Sequence, residues 1–371
     1  LERQLAEEYG VKASTIALLN SIEEEIPSFC IRTLHEQSGA SDNNGGENGA
    51  EGRGVKRKLD DQVVAAGAAW KETIACKRAK IETEGTNRIW IEPGLQSWQV
   101  WVRRHNKRLS SSNPGAALLP ENLACLRGSE LSAALALFVT EIRKPDDSLY
   151  SPDTLYYLLL GLQQHLFNRG KNYCIFLDSV FKKFNSEFDR MIGKFGEELA
   201  SSRGLHGTQP RTRIVEEDMW QCRLLGAHTP SVLLNTLFYF NTKLFKLKTV
   251  EEHMALSFSM IEKDWQGTSS DRCAMLKFYP NKSETLLKKT SRIMLENKDD
   301  PLQCPVKLYE FYISKYPAAA RSIKGQYYVY PESSCLPDSP VWYSEQALSQ
   351  HSLSVMLHRA LLVRELQEAI A

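Results

Sequence analysis

The longest apolar run in the chain spans Pro230 to Leu256, PSVLLNTLFYFNTKLFKLKTVEEHMAL. Val232, Leu233, Leu234, Leu237, Phe238, Phe240, Leu244, Phe245 and Leu247 cover too much of a helix circumference for a one-sided surface helix. The pattern predicts an element buried on most faces. Asn235, Asn241 and Lys243 interrupt it short of the roughly 20 apolar residues a bilayer requires, so it reads as a core helix and not as a membrane span. It ends on Lys248, Glu251, Glu252 and His253, a polar corner where any chemistry is expected first.

Upstream, four amphipathic patterns predict a compact all-α domain from 89 to 200. Trp90, Leu95, Trp98, Trp101 and Val102 open it, and Ser129 is the expected start of a helix with Leu131, Leu135, Phe138 and Ile142 on one face. Lys144-Pro145 should stop that helix, and Ser151-Pro152-Asp153 has the N-cap, first-position proline and acidic first turn of the next. Asp178 is the expected cap of a fourth helix, with Phe181, Phe184, Phe188, Met191 and Phe195 on its face. Ser201 to Gln209 reads as an interdomain hinge.

The second domain, 210 to 371, opens with a polar helix near Val215 to Leu225 and continues into the apolar run. The periodicity then changes. Residues 275 to 279 and 327 to 330 are short, aromatic-rich and bounded by turn residues, which predicts strands. Cys304-Pro305 begins a helix carrying Val306, Tyr309, Tyr312 and Ile313, and a closing helix from Ser349 carries Leu353, Leu357, Leu361 and Leu366. The expected fold class is mainly α with a small β component.

Residues 1 to 37 have helix-like spacing with an acidic surface, and 38 to 88 form a linker whose first part lacks any apolar residue larger than alanine. Such sequence cannot offset its ordering entropy by burial. Two basic clusters in it, Lys56, Arg57, Lys58 and Lys77, Arg78, Lys80, are candidates for nuclear import, with a solvated charge run as the alternative for each. A third basic stretch, Arg103, Arg104, Lys107 and Arg108 in WQVWVRRHNKRL, sets cations beside tryptophans. That arrangement suits phosphate contacts, and equally the charged exterior of an ordinary helix.

Composition narrows the classes. The 371 residues are 42% hydrophobic and 25% charged with a net charge of +1, which is ordinary for a globular chain and confines any DNA-binding face to a local patch. Eight cysteines lie about 30 to 50 residues apart with no CxxC pair, which excludes a closely ligated zinc module and favours reduced, structural thiols. The chain opens on Leu1 without a basic and then apolar leader, so the expectation is a fragment of a longer cytosolic or nuclear protein. There is no GxGxxG, P-loop, HExxH or GxSxG, and His351 and His358 offer no third ligand, so neither a metal nor a cofactor is expected.

LLNTLFYFNTKLFKLKTVEEHMALSF, CPVKLYEFYISK and DSPVWYS together resemble the C-terminal domain of the MYM-type zinc finger proteins and of the glutamine-rich protein related to them. The resemblance covers residues 89 to 371. It implies descent from the tyrosine recombinases of Crypton transposons: a helical, SAM-like core-binding bundle followed by a degenerate tyrosine-recombinase-like α+β domain. In such enzymes two arginines, a histidine and usually a lysine stabilise the phosphate that a tyrosine attacks. Here Lys248, with Glu251 beside it, takes the place of the first arginine, and lysine lacks the bidentate fork. His351 is followed at the third position by Ser354 and not arginine, Lys277 stands where the hairpin lysine falls, and no tyrosine follows Tyr343. The resemblance therefore implies a non-catalytic nuclear regulator of transcription or chromatin. Its expected partners are double-stranded DNA or chromatin proteins, with Arg103, Arg104, Lys107, Arg108, Lys171, Lys182 and Lys183 as phosphate contacts. An active recombinase and a protein-only scaffold are the alternatives.

Overall fold

The computed structural model describes residues 89, 91–144, 146–202, 212–268, 272–280, 292–317, 326–332, 335–336 and 338–370, with side chains omitted from 194 to 202. The expectations for 1 to 88, including both import clusters, and for most of the hinge lie outside the described residues.

The first half is a helical bundle of α1 (Ile91–Ser112), α2 (Gly128–Glu141), α3 (Pro152–Asn168) and α4 (Lys182–Ser202). Each helix buries the face its apolar spacing predicts: Trp98, Trp101 and Val102 on α1, Leu131, Leu135 and Phe138 on α2, Leu155, Leu159 and Leu162 on α3, Phe184 and Phe188 on α4. Two helix starts differ from the sequence reading. α2 begins at Gly128, because the Glu130 carboxylate accepts the Arg127 N–H at 2.9 Å and closes the first turn one residue earlier than Ser129. Asp178 does not cap α4. Its carboxylate accepts the Cys174 N–H at 2.8 Å, a separate single turn at Ser179–Phe181 intervenes, and α4 starts at Lys182.

α1 and α3 approach closely at Gly94, where an added Cβ would lie 2.5 Å from the Leu158 carbonyl oxygen. Backbone cannot yield as a side-chain tip does. Gly94→Ala is therefore expected to lose about 1–2 kcal/mol in urea unfolding, the overpacking of about 1–3 kcal/mol outweighing any propensity gain in the first helical turn.

The second half contains α5 (Glu216–Gln221), α6 (Pro230–Leu244), α7 (Val250–Ala255), α8 (Pro305–Lys315), α9 (Gln350–Ala360) and α10 (Arg364–Ile370). An antiparallel sheet of β1 (Ile261–Gln266), β2 (Cys273–Phe278) and β3 (Arg292–Leu295) runs in the order β1-β2-β3, and β4 (Val329–Pro331) pairs with β5 (Tyr343–Ala347). On its inner face Ile261, Leu276, Phe278 and Met294 are buried, and Phe278 stacks on Phe245 at 5.0 Å. Two expected single elements are split. The apolar run becomes α6 and α7, because Lys246 takes a positive φ of 55° and Thr249 with Glu252 makes a capping box that starts a new helix. The closing helix breaks after Ala360 into α9 and α10, with Ile214 bridging to Val363 at the break.

α6 is buried nearly throughout, and its three polar interruptions are all bonded. Asn235 donates to the Leu224 carbonyl at 2.9 Å, Asn241 donates to the Tyr328 hydroxyl at 2.8 Å, and Lys243 is ion-paired with Glu216. Polar groups survive in a core when they are satisfied in this way.

The two halves share a buried interface. The Cys222 thiol donates to the Leu160 carbonyl at 3.4 Å, Tyr156 of α3 lies against Met219, and α4 packs on α9. Arg359 of α9 donates to Asp189 at 2.7 Å, to the Phe176 carbonyl at 2.7 Å and to Asn185 at 2.9 Å, and its guanidinium lies 5.5 Å from the Phe188 ring centroid.

Candidate functional site

The basic candidates separate into two groups. On the C-terminal half of α1, Arg103 holds Glu121 through two hydrogen bonds of 2.8 Å, Arg108 meets Glu141 at 2.7 Å, and Arg104 lies 4.0 Å from Asp147. Three arginines thus face three carboxylates. Glu141 is tied in further by Trp101 Nε1 at 3.1 Å and His105 Nδ1 at 3.0 Å. Partial burial pushes its carboxyl up, but the bonds from His105, Trp101 and Arg108 hold it below the ordinary value. A shallow, open hollow of about 580 Å³ follows this stretch, lined by Arg104, Lys107, Arg108, Ser111 and Ser112.

Lys171, Lys182 and Lys183 stand at the other end of the bundle. Gly94 packs on Leu158, so the C-terminal end of α3, where Lys171 follows, lies beyond the start of α1. The added Cβ of Gly128 would lie 2.9 Å from Val180, and Ser132 accepts the Phe184 N–H at 3.5 Å, so α2 and α4 start side by side. With Glu141 at the far end of α2, about 20 Å of helix axis separates Lys182 and Lys183 from the arginines of α1. Among the described residues none of these three lysines has an ion-pair partner.

The polar corner after α6 is a structural cap. Lys248 and Glu251 are exposed, whereas Glu252 accepts the Thr249 N–H at 3.1 Å as part of the capping box. His253 is 1% exposed and stacks on Phe238 with ring centroids 4.0 Å apart. Its Nε2 lies 3.2 Å from the Thr242 hydroxyl, which donates to the Phe238 carbonyl, and its Nδ1 lies 2.9 Å from the Tyr328 hydroxyl, which accepts from Asn241. These bonds select the neutral ring with its proton on Nε2, and burial lowers the pKa to about 3. The expectation of chemistry at this corner is therefore corrected for His253 and Glu252, whose polar atoms are consumed by the fold.

Lys277 on β2 reaches the Asp264 carboxylate of the neighbouring strand at 2.5 Å, and that bond holds its ammonium charged. His351 is exposed on the first turn of α9. Tyr343 is 1% exposed, donates its hydroxyl to the Pro230 carbonyl at 2.9 Å, and has its phenol pushed well up by burial. A small cavity of about 10 Å³ between the halves is lined by Tyr156, Phe176, Met219, Asn235, Tyr239 and Arg359, and includes none of Lys248, Lys277, His351 or Tyr343. Among the described residues no group of three or more His, Cys, Asp or Glu is placed to hold a metal ion, and no helix is long and apolar enough to cross a membrane.

Two family models match the chain. Residues 88–195 match the QRICH1 domain, and residues 210–362 match a domain of unknown function, DUF3504. Zinc finger MYM-type protein 3 of Mus musculus is 34% identical over 304 residues, 75% of this chain and 22% of the mouse protein. Transcriptional regulator QRICH1 of Homo sapiens is 34% identical over 302 residues, 77% of this chain and 38% of the human protein. Zinc finger MYM-type protein 2 of Homo sapiens is 33% identical over 299 residues, 74% of this chain and 21% of the human protein. The chain thus spans about a fifth to two fifths of the length of these relatives, and its C-terminal region is homologous to them. No solved structure matches it.

The QRICH1-matching and DUF3504-matching segments are the two halves that Arg359 ties together. Arg359 and Asp189 are 170 positions apart, and no local pattern pairs them. On α4 the neighbours of Asp189 three and four positions away are Asn185, Ser186, Ile192 and Gly193, an ordinary mixed face that gives no sequence signal for the pair.

Proposed function

We propose that residues 89 to 370 form a non-enzymatic binding module of a transcriptional regulator that acts in the nucleus through chromatin proteins. The relatives' names, transcriptional regulator and MYM-type zinc finger protein, support the regulatory part of this reading. One observation carries the preference for protein partners. A recombinase-type clamp would grip a duplex between its two lobes, and here the facing surfaces of the two halves are occupied by each other through Arg359, Tyr156 and Cys222. The α1 arginines, already held by Glu121 and Glu141, point the same way. Descent from a tyrosine recombinase fits the motifs, with the chemistry lost: Lys248 replaces an arginine, and the last tyrosine, Tyr343, is buried with its hydroxyl donated.

DNA contact at Lys171, Lys182 and Lys183 is a second reading, favoured by the absence of an acidic partner for these lysines among the described residues. Duplex binding by the 371-residue chain, followed by anisotropy from 50 to 200 mM salt, separates the two. The expected result is weak binding that charge reversal of Lys171, Lys182 and Lys183 leaves unchanged, whereas DNA contact at these three lysines gives a log–log salt slope of about −3 that the reversal removes. A steep slope and tight binding at 150 mM salt that charge reversal of Arg103, Arg104 and Arg108 abolishes would overturn the protein-partner reading. Nicked suicide duplexes are expected to leave no covalent adduct, and a tyrosine-linked adduct would restore an enzyme.

A further inference from the structure

Three Ser/Thr-Pro dipeptides occur in the chain: Ser151-Pro152, Thr229-Pro230 and Ser339-Pro340. Their settings differ. Ser151 and Thr229 are helix N-caps with proline at the first helical position. The Thr229 hydroxyl accepts the Val232 N–H at 3.2 Å, and the Ser151 hydroxyl is bonded to Thr154 at 2.8 Å. Presenting either to another protein in extended form means unwinding the first turn of a buried helix. Ser339 instead sits in a tight surface turn before β5, where it is bonded twice to Leu336: its N–H donates to the Leu336 carbonyl at 3.0 Å, and its hydroxyl accepts the Leu336 N–H at 2.9 Å. Leu336 is 72% exposed and Val341 41%, with Asp338 and Pro340 exposed between them.

A cation stands beside this turn. Lys315, at the end of α8, donates to the Ser339 carbonyl at 2.7 Å and lies over the Trp342 and Phe311 rings at 5.2 and 5.8 Å. We propose that Ser339 is a phosphorylation site for a proline-directed protein kinase, with Lys315 as the group that receives the phosphate. The Ser339 oxygen attacks the γ-phosphorus of ATP, the bond to the bridging β–γ oxygen breaks, ADP leaves, and the hydroxyl proton passes to the kinase base. Position +3 is the buried Trp342, so the kinase must be of the type that needs proline at +1 and no basic residue at +3. Phosphorylation adds a charge of about −1.5 to −2 beside the Asp338 carboxylate, breaks the Leu336 bond to the hydroxyl, and draws the Lys315 ammonium from the backbone carbonyl to phosphate oxygens. Apolar contacts made through Leu336 and Val341 would then be switched off.

The full chain is incubated with such a kinase and Mg-ATP, and site occupancy is read by mass spectrometry. Ser339 is expected to be labelled at least tenfold faster than Ser151 or Thr229, and Pro340→Ala to slow it tenfold or more with an unchanged thermal midpoint. Faster labelling of Ser151 or Thr229, no labelling of Ser339, or indifference to Pro340→Ala would each overturn the site. Lys315→Met separates the phosphate partner from the acceptor. It should leave labelling intact and abolish any shift in thermal midpoint that phosphorylation produces in the parent; a shift that persists removes Lys315 from the proposal.

Discussion

An Arg359→Met variant is expected to lose about 3–5 kcal/mol of unfolding free energy, read as a fall in the urea midpoint and a drop of about 10 °C in melting temperature. The guanidinium is 12% exposed and makes three kinds of contact at once: to Asp189, to the Asn185 side chain and to the Phe176 carbonyl. Removing it leaves a carboxylate only 18% exposed without its counter-charge. Burial already pushes the Asp189 carboxyl up, and Arg359 is the main group pulling it back. The cost of an orphaned buried charge exceeds the net worth of the pair, so Arg359→Met combined with Asp189→Leu should recover most of the loss. Because the pair joins α4 to α9, the parent should unfold in one transition by probes in either half. Two well-separated transitions in the parent, or a loss below about 1 kcal/mol in the variant, would contradict a shared interface held by this arginine.

What could be read in the sequence follows the range of the forces concerned. The four bundle helices and α6 were legible because apolar residues recur at 3.6-residue spacing on a single segment, as in Leu155, Leu159, Leu162 and Leu166. β2 and β4 were legible from short apolar and aromatic runs. β1, with the sequence IEKDWQ, and the four-residue β3 were not, since each becomes a strand only through pairing with β2. Helix starts were misplaced where a side chain had a competing partner, as Asp178 has in the Cys174 N–H. The basic stretch on α1 was visible, but the neutralisation of Arg103 by Glu121 and of Arg108 by Glu141 depends on residues 18 and 33 positions away. The Arg359 link lies further still beyond any local pattern.

Phe238→Ala is expected to cost about 3–5 kcal/mol at pH 7, as aromatic truncation in a well-packed core does, and also to change how stability responds to acid. Phe238 is 1% exposed on α6 and covers one face of the His253 ring. In the parent, His253 stays neutral in the native state down to about pH 3, whereas the unfolded chain takes up a proton below about pH 6.5. The native contribution is therefore complete above pH 6.5 and is lost as the pH falls, by about 2 kcal/mol at pH 5 from this residue alone. Protonating the folded ring would place an N–H on Nδ1 against the Tyr328 hydroxyl, whose own proton is directed there because the oxygen accepts from Asn241. Truncating Phe238 admits water to the ring, moves its pKa toward 6.5 and flattens this acid limb, even as the variant is weaker at every pH. Urea unfolding from pH 7 to 5 gives both quantities. An acid limb as steep as the parent's would mean that the Phe238 stack is not what keeps His253 dry.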